Sequence, residues 1–310
     1  MIKEIKGLHH VTSMAKDAST NNAFFTKTLG LRRVKKTVNF DAPDVYHLYY
    51  GDELGTPGSV MTYFPFPQMS RGAQGTGEVG MTEFSVPEGS LRFWQDHLLK
   101  QNVKGLAAQT LFGEKRLNFA GPDGEAFALV ESDAQDRQAW TGATIPESAG
   151  ILGFNCARFR LKEAAATGEL LTFMGYQKLE SQGDVTRYII EGGNAANTID
   201  LEQVGDAPTA RQGAGSVHHI AFAVEDRAAQ LRVRQSLMDT GYQVTPVIDR
   251  NYFWAIYFRT PGGVLFEVAT NEPGFDHDED TAHLGEALKL PSQYEPRRAE
   301  IENALPKLSA

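Results

Sequence analysis

The sequence predicts an α+β protein in which four copies of a βαβββ module pair into two half-open mixed β-barrels. Three observations point there. A strand-like run, LHHVTSM from Leu8, has counterparts in VGMTEFSV from Val79, LGFNCARFRL from Leu152 and VHHIAFAV from Val217. An amphipathic segment follows each of the four, and alternating or β-branched and aromatic runs broken by Gly, Asn and Asp follow each segment. Finally, the copies start near residues 7, 78, 151 and 216, a spacing of about 65 to 73 residues, which is too long for a solenoid and suits paired half-barrels.

The expected modules are residues 1–77, 78–150, 151–215 and 216–272, with 273–310 outside the repeat. Three of the helices should stop at a glycine in matching context, in TLGLRR at Gly30, FMGYQK at Gly175 and TGYQV at Gly241, because a left-handed residue closes a helix there. The second helix should end near Asn102. Strands are expected at YHLYYG, RYIIEG, NTIDLEQ, FWAIYFR and VLFEVAT. Pro-Gly and Asp-Gly turns lead into last strands in GTPGSVMTYF from Gly55, GPDGEAFALV from Gly121 and TPGGVLFEVA from Thr260. The tail opens with the acidic DHDED from Asp276 and offers a short helix after Pro296 that Pro306 ends. It reads as a strap over the barrels, with a lid on the site as the alternative.

A chain of 310 residues, 41% of them hydrophobic, can bury a large core. No apolar run approaches the roughly 20 residues a spanning helix needs, and MIKEIKGLHH lacks a secretory apolar stretch, so the expected location is the cytoplasm. The single cysteine, Cys156, agrees with a reducing compartment and reads as a small buried apolar residue. A formal charge of −9 without any Lys/Arg-rich run argues against nucleic-acid or membrane partners.

The residues that carry chemistry are two His-His pairs in matching places of the first and last modules, His9-His10 and His218-His219. Side chains alternate across a strand, so one member of each pair should face a given site. Ile220, Phe222 and Val224 share a face with His218, whereas the small Ala221 and Ala223 share one with His219; in LHHVTSM, Thr12 goes with His10. His10 and His219 are therefore the expected inward pair. Glu267 is the one charged residue in the apolar run VLFEVAT, and a buried carboxylate needs a cation. Two neutral imidazoles and one carboxylate make the facial triad of non-haem iron(II) enzymes, with positions left open for substrate and dioxygen. The corresponding slots of the middle modules hold Met81, Cys156 and Ala128, so those modules should be structural. The first and fourth modules must then meet around the metal, and the second and third must pair with each other.

The blocks GLHHVT, TVNFDAPDVYHLYYGD, GTPGSVMTYFPFP, SVHHIAF, DRNYFWAIYFRTPGGVLFEVAT, GFDHDED and HLGEALKLPSQYEPRRAEIENALP resemble the vicinal-oxygen-chelate (glyoxalase/bleomycin-resistance/extradiol dioxygenase) superfamily. The resemblance covers essentially the whole chain and is nearest to the hydroquinone-type ring-cleaving dioxygenases. It implies an Fe(II) site, with Mn(II) as the alternative metal, on His10, His219 and Glu267. It also implies polar groups around that site at His9, Thr12, His218, Arg250 and Tyr257, a dihydroxylated aromatic substrate with dioxygen, and a homodimer. Arg250 is suited to hold an oxyanion, Tyr257 to exchange a proton, and His218 to transfer one. His47 reads as a packing residue on its alternating strand, while Phe64 and Phe66 read equally as pocket wall and as ordinary loop contacts.

Two rival functions stay open at this point. A glyoxalase-like isomerase generally needs a fourth protein ligand, commonly a second glutamate, which SVMTYF does not offer. A non-catalytic quinone- or drug-binding resistance protein would sequester its ligand without turnover.

Overall fold

In the computed structural model, residues 1–133, 137–142 and 144–308 are described. The first module comprises β1 (Leu8–Ala15), α1 (Ala18–Ala23), β2 (Arg32–Asn39), β3 (Ala42–Gly51) and β4 (Val60–Pro65). The second comprises β5 (Glu78–Val86), α2 (Leu91–Lys100), β6 (Lys104–Leu111), β7 (Glu114–Ala120) and β8 (Ala126–Glu131). The third holds β9 (Phe154–Leu161), α3 (Ala165–Phe173), β10 (Gln177–Gln182), β11 (Val185–Ile189) and β12 (Thr198–Gln203). The fourth holds β13 (Val217–Val224), α4 (Arg227–Asp239), β14 (Ile248–Asp249), β15 (Phe253–Arg259) and β16 (Leu265–Pro273).

The strands form two mixed eight-stranded sheets, ordered β14-β15-β16-β13-β1-β4-β3-β2 and β10-β11-β12-β9-β5-β8-β7-β6. Modules one and four therefore share one half-barrel and modules two and three the other. Each sheet is centred on an antiparallel pair of first strands, β1 with β13 and β5 with β9. Each first strand runs parallel to the last strand of its own module.

The helices begin and end where local chemistry permits. Asp17 and Asp226 cap α1 and α4 by accepting the backbone N–H of Thr20 and Ala229, each at 2.7 Å. Gly30, Gly175 and Gly241 take positive φ, as does Asn102, so all four expected stops are present. After Ala23 the first helix continues as a π-helical turn over Phe24–Thr28. That turn sets Phe24 against Phe119 and Phe127, whose strands belong to the other sheet. Phe84, Phe127 and Phe154 lie in the same core that spans both barrels, and each such buried ring contributes about 1.5–3 kcal/mol. The linkers run side by side through bridges Arg71 to Ala214, Ala73 to Arg211 and Thr76 to Thr209, which tie the barrels together.

One irregularity recurs in all four first strands. Between Leu8 and His10, β1 spends an extra residue against β13, and β13 does the same between His219 and Val217. The second sheet has equivalent shifts at Gly80 and Asn155. Each is a β-bulge, which adds one residue to one strand and resets the side-chain alternation.

The second barrel is filled with paired charge. Arg116 Nη1 donates to both oxygens of Glu83, at 2.7 and 2.8 Å, and Arg158 Nη2 donates to Glu83 at 2.6 Å. Arg187 makes two bonds to Asp200, at 2.9 and 3.0 Å, and shares Glu114 with Arg116. Two sequence expectations are corrected here. Asp200 pairs with Arg158 in the register by which Glu267 pairs with Ala221, so an acid occupies a slot for which Ala128 alone had been considered. Cys156 is fully buried, yet it sits beside Glu83 and Asp200 rather than among apolar groups, and burial first, then those carboxylates, pushes its thiol well up.

Beyond β16 the tail crosses the face of β2. Lys35, with no exposed surface, donates to Asp278 at 2.7 Å and to Glu279, and its ammonium lies 4.8 Å from the Tyr252 ring centroid. Two charges of the DHDED run are thus internal counter-ions. The short helix α5 (Arg298–Ala304) follows Pro296, and Tyr294 Oη donates to the carbonyl of Phe40 at 2.6 Å.

Candidate metal centre and its cavity

The two central strands of the first barrel, with β16 beside them, bring three side chains together. His219 Nε2 lies 2.8 Å, and His10 Nε2 3.4 Å, from Glu267 Oε2, and the ligand atoms of all three lie within 4.8 Å of one another. All three residues are buried. Neither Glu267 oxygen receives a hydrogen bond of sound geometry despite this closeness. Lone pairs converging on a common point have that property, and the donor set fits a divalent metal. Burial pushes the Glu267 carboxyl up, but His10 and His219 outweigh it and hold the group well below the usual range.

The companion histidines orient the inner pair. His9 Nδ1 lies 2.9 Å from His10 Nδ1, and His218 Nδ1 lies 2.8 Å from His219 Nδ1. Each contact needs one N–H and one lone pair. If His9 carries its proton on Nε2, its Nδ1 accepts the His10 N–H. The His10 Nε2 lone pair is thereby left facing Glu267, an arrangement common among metal-binding histidines. Burial, then the neighbouring histidine, lowers His9 to about 3 and His218 to about 4, so both are neutral at pH 7.

These depressed values set a direction for stability against pH. Between His9's ordinary value of 6.5 and about 3 the unfolded chain binds more protons than the folded one, so stability falls as pH falls through that window. The urea midpoint of metal-free protein is expected to drop steadily from pH 7 to pH 4, with a shallower slope in His9→Asn. Equal slopes would contradict the assignment.

A cavity of about 420 Å³ opens onto the three residues. Its walls include Met14, Phe40, Phe64, Phe66, Met69 and Phe253, with Asn39, Asp41, Gln212, Arg250 and Tyr257 as polar points. Arg250 Nε donates to Tyr257 Oη at 3.3 Å, and Arg250 Nη1 stands 3.6 Å from the exposed Asp41. Tyr257 is the cross-strand partner of Glu267. Burial and the Glu267 charge push its phenol up, and Arg250 only partly offsets them, so the hydroxyl stays protonated.

The structure brings His9, His10, Thr12, His218, His219, Arg250, Tyr257 and Glu267 into one neighbourhood, and it corrects two expectations. His218 lines the cavity together with His219, because the bulge between Val217 and His219 breaks the alternation that would have turned it away. His47 also lines the cavity instead of simply packing; its ring lies 4.3 Å from that of Phe64. Phe64 and Phe66 are cavity wall. Sequence reasoning missed Phe253, whose ring lies 4.9 Å from His10 and 5.2 Å from His9, and it missed Thr62. Thr62 pairs with Thr12 as Glu267 pairs with Ala221, so a hydroxyl stands at the position related to Glu267 by the barrel's internal symmetry. The signal for Thr62 lay in aligning SVMTYF with VLFEVAT. No residue of 273–310 lines this cavity among the described residues; the tail supports its wall from behind, through the Phe40 backbone and through the Phe275 ring, 5.1 Å from that of Tyr49.

Paired half-barrels around one two-histidine, one-carboxylate centre define a recognisable class, and the chain belongs to the Glyoxalase/Bleomycin resistance protein/Dioxygenase superfamily, among its ring-cleaving dioxygenases. The family's sequence profile matches residues 174–268. A Bacillus subtilis (strain 168) protein provisionally named ring-cleaving dioxygenase MhqO is 42% identical over 306 residues, covering 98% of this chain and 97% of its own. The chlorohydroquinone/hydroquinone 1,2-dioxygenase of Sphingobium indicum is 36% identical, covering 96% and 95% of the two chains. A crystal structure from Bacillus subtilis subsp. subtilis str. 168, provisionally described as a dioxygenase, superimposes with a TM-score of 0.95 at 41% identity, covering 99% and 98%. Glyoxalase I from Zea mays shares the fold at a TM-score of 0.62 and 12% identity, covering 86% and 92%.

Proposed function

We propose that this protein is an iron(II)-dependent, extradiol-type ring-cleaving dioxygenase acting on a hydroquinone or a related dihydroxylated aromatic. The observation that carries the reading is the buried, hydrogen-bond-poor Glu267 carboxylate set against His10 and His219 at the base of an aromatic-walled cavity. The name of the Sphingobium indicum relative supports the substrate class. Thr62 in place of a second carboxylate favours this reading over an isomerase that needs a fourth protein ligand.

His10, His219 and Glu267 would hold the metal, and iron(II) bound there would supply the electron transfer between a spin-paired aromatic ring and triplet dioxygen that does not proceed directly. The remaining work belongs to side chains. Phe64, Phe66 and Phe253 shape a flat apolar slot for the ring and exclude water. Arg250 supplies a permanent positive charge for a phenolate oxygen, and Tyr257, kept protonated, supplies a hydroxyl donor beside it. If His218 accepts the His219 N–H at Nδ1, its own proton sits on Nε2. It then offers the cavity a hydrogen-bond donor, where proton transfer had been expected.

The test is oxygen uptake by anaerobically iron(II)-loaded protein with hydroquinone, with catechol and with no substrate. Stoichiometric uptake with a ring-opened product, fastest with hydroquinones, is expected. Bound hydroquinone recovered intact without uptake would overturn the reading.

A further inference from the structure

His47 and Tyr49 lie two residues apart on β3 and so share a face. Tyr49 Oη is 2.8 Å from His47 Nδ1, His47 Nε2 is 2.8 Å from Thr62 Oγ1, and Thr62 Oγ1 is 2.8 Å from Thr12 Oγ1. The four side chains make one chain from β3 across β4 to β1. Among the described residues none of the four has another side-chain hydrogen-bond partner.

Each neutral member owns one exchangeable proton, and three links use three of the four. The fourth is left at one end, because a Thr62 hydroxyl that accepted from both neighbours would keep its own buried proton without a partner among the described residues. At the Tyr49 end it would be the proton of a fully buried phenol that has no hydrogen-bond partner other than His47 among the described residues. At the Thr12 end it faces the barrel interior, because Thr12 is two residues from His10 with no bulge between them. The chain therefore runs Tyr49 to His47 to Thr62 to Thr12, with the His47 proton on Nε2.

We infer that His47 is a positioning residue for this site: by donating to Thr62 it turns the Thr12 hydroxyl into a hydrogen-bond donor for an anionic oxygen held at the metal centre. The pair Thr12 and Thr62 then supplies a neutral donor on the side where the symmetry of the barrel would place a second carboxylate. Aligned hydrogen bonds polarise one another, so removing an inner link weakens the outer donor. The kinetic part of this inference rests on the ring-cleavage reading; the proton placement does not.

Nitrogen-15 NMR of histidine-labelled, metal-free protein tests the placement directly. His47 is expected as the Nε2–H form, and Tyr49→Phe is expected to release it into a mixture of tautomers. In turnover, His47→Phe is expected to lower kcat on hydroquinone by about 10²-fold, within the range for a positioned proton donor, with KM changed far less. His47→Gln, whose amide can donate to Thr62, should recover much of the loss. Thr62→Val should lower kcat comparably, and the double variant His47→Phe, Thr62→Val should lower it no further, as expected for one chain. A His47 found as the Nδ1–H form, an unchanged kcat in His47→Phe, or additive losses without rescue by Gln would overturn the inference. Wild-type protein that turns over no hydroquinone would sink the ring-cleavage reading instead, and the NMR result would still decide the proton placement.

Discussion

Glu267→Gln is expected to strip the site of its metal and to cut ring-cleavage turnover by at least about 10²–10³-fold, the scale of losing one preorganised electrostatic element. The amide keeps the volume of the carboxylate, so packing around β16 survives and the loss reports charge and ligation. His10 and His219 are neutral ligands in this scheme, which leaves Glu267 as the one negative charge among the three to balance a divalent ion. The binding consequence can be read without any assay of activity. Metal at a hundredfold excess over Kd stabilises the folded wild-type chain by about 2.7 kcal/mol, so its melting temperature should climb with added iron(II) under anaerobic conditions. The Glu267→Gln melting temperature should not respond. A variant that kept both the metal-dependent shift and turnover would mean that Glu267 is not a ligand.

Arg116→Ala is the change expected to cost most stability, about 3–5 kcal/mol, although it lies in the barrel without the candidate metal centre. Arg116 is almost fully buried and grips both oxygens of Glu83, and Arg158 alone would then face that carboxylate. Burial already pushes the Glu83 carboxyl up, and the two arginines only partly offset it. Removing one cation leaves a charge in low dielectric with too little compensation. A combined variant, Arg116→Met with Glu83→Leu and Arg158→Met, removes the carboxylate together with both of its cations and is expected to lose less than Arg116→Ala alone. Urea unfolding of wild type, Arg116→Ala and the combined variant distinguishes the cases; a cost below about 1 kcal/mol for Arg116→Ala would place this cluster with weak surface pairs. The same physics explains why the two barrels differ. The first sets Glu267 between two histidines at its centre, whereas the second gathers Glu83 and Asp200 and balances them with its own guanidinium groups.

Much of this architecture was legible in the sequence because the signals are local. Helix stops at Gly30, Gly175, Gly241 and Asn102 depend on a backbone conformation that few neighbours influence. The paired His-His blocks and a lone glutamate in VLFEVAT stand out by residue type alone. Pairing of the outer and inner modules followed from asking where such residues must meet, and the sheet order agrees with it.

What only the tertiary structure decided depends on a partner strand. Alternation with period two gave the right phase for His10 and His219, but the bulges at His9 and His218 arise between two strands. His218 therefore enters the cavity against its local pattern. Thr62 gains meaning from the register of β4 on β1, His47 from the turn of β3 toward the cavity, and Lys35 from acids more than 240 positions away, at Asp278 and Glu279. Residue type and short-range period thus determined which groups were candidates to carry the chemistry. Strand register and long-range burial decided which way those groups face and what balances their charge, because both are set by contacts that only form when distant segments meet.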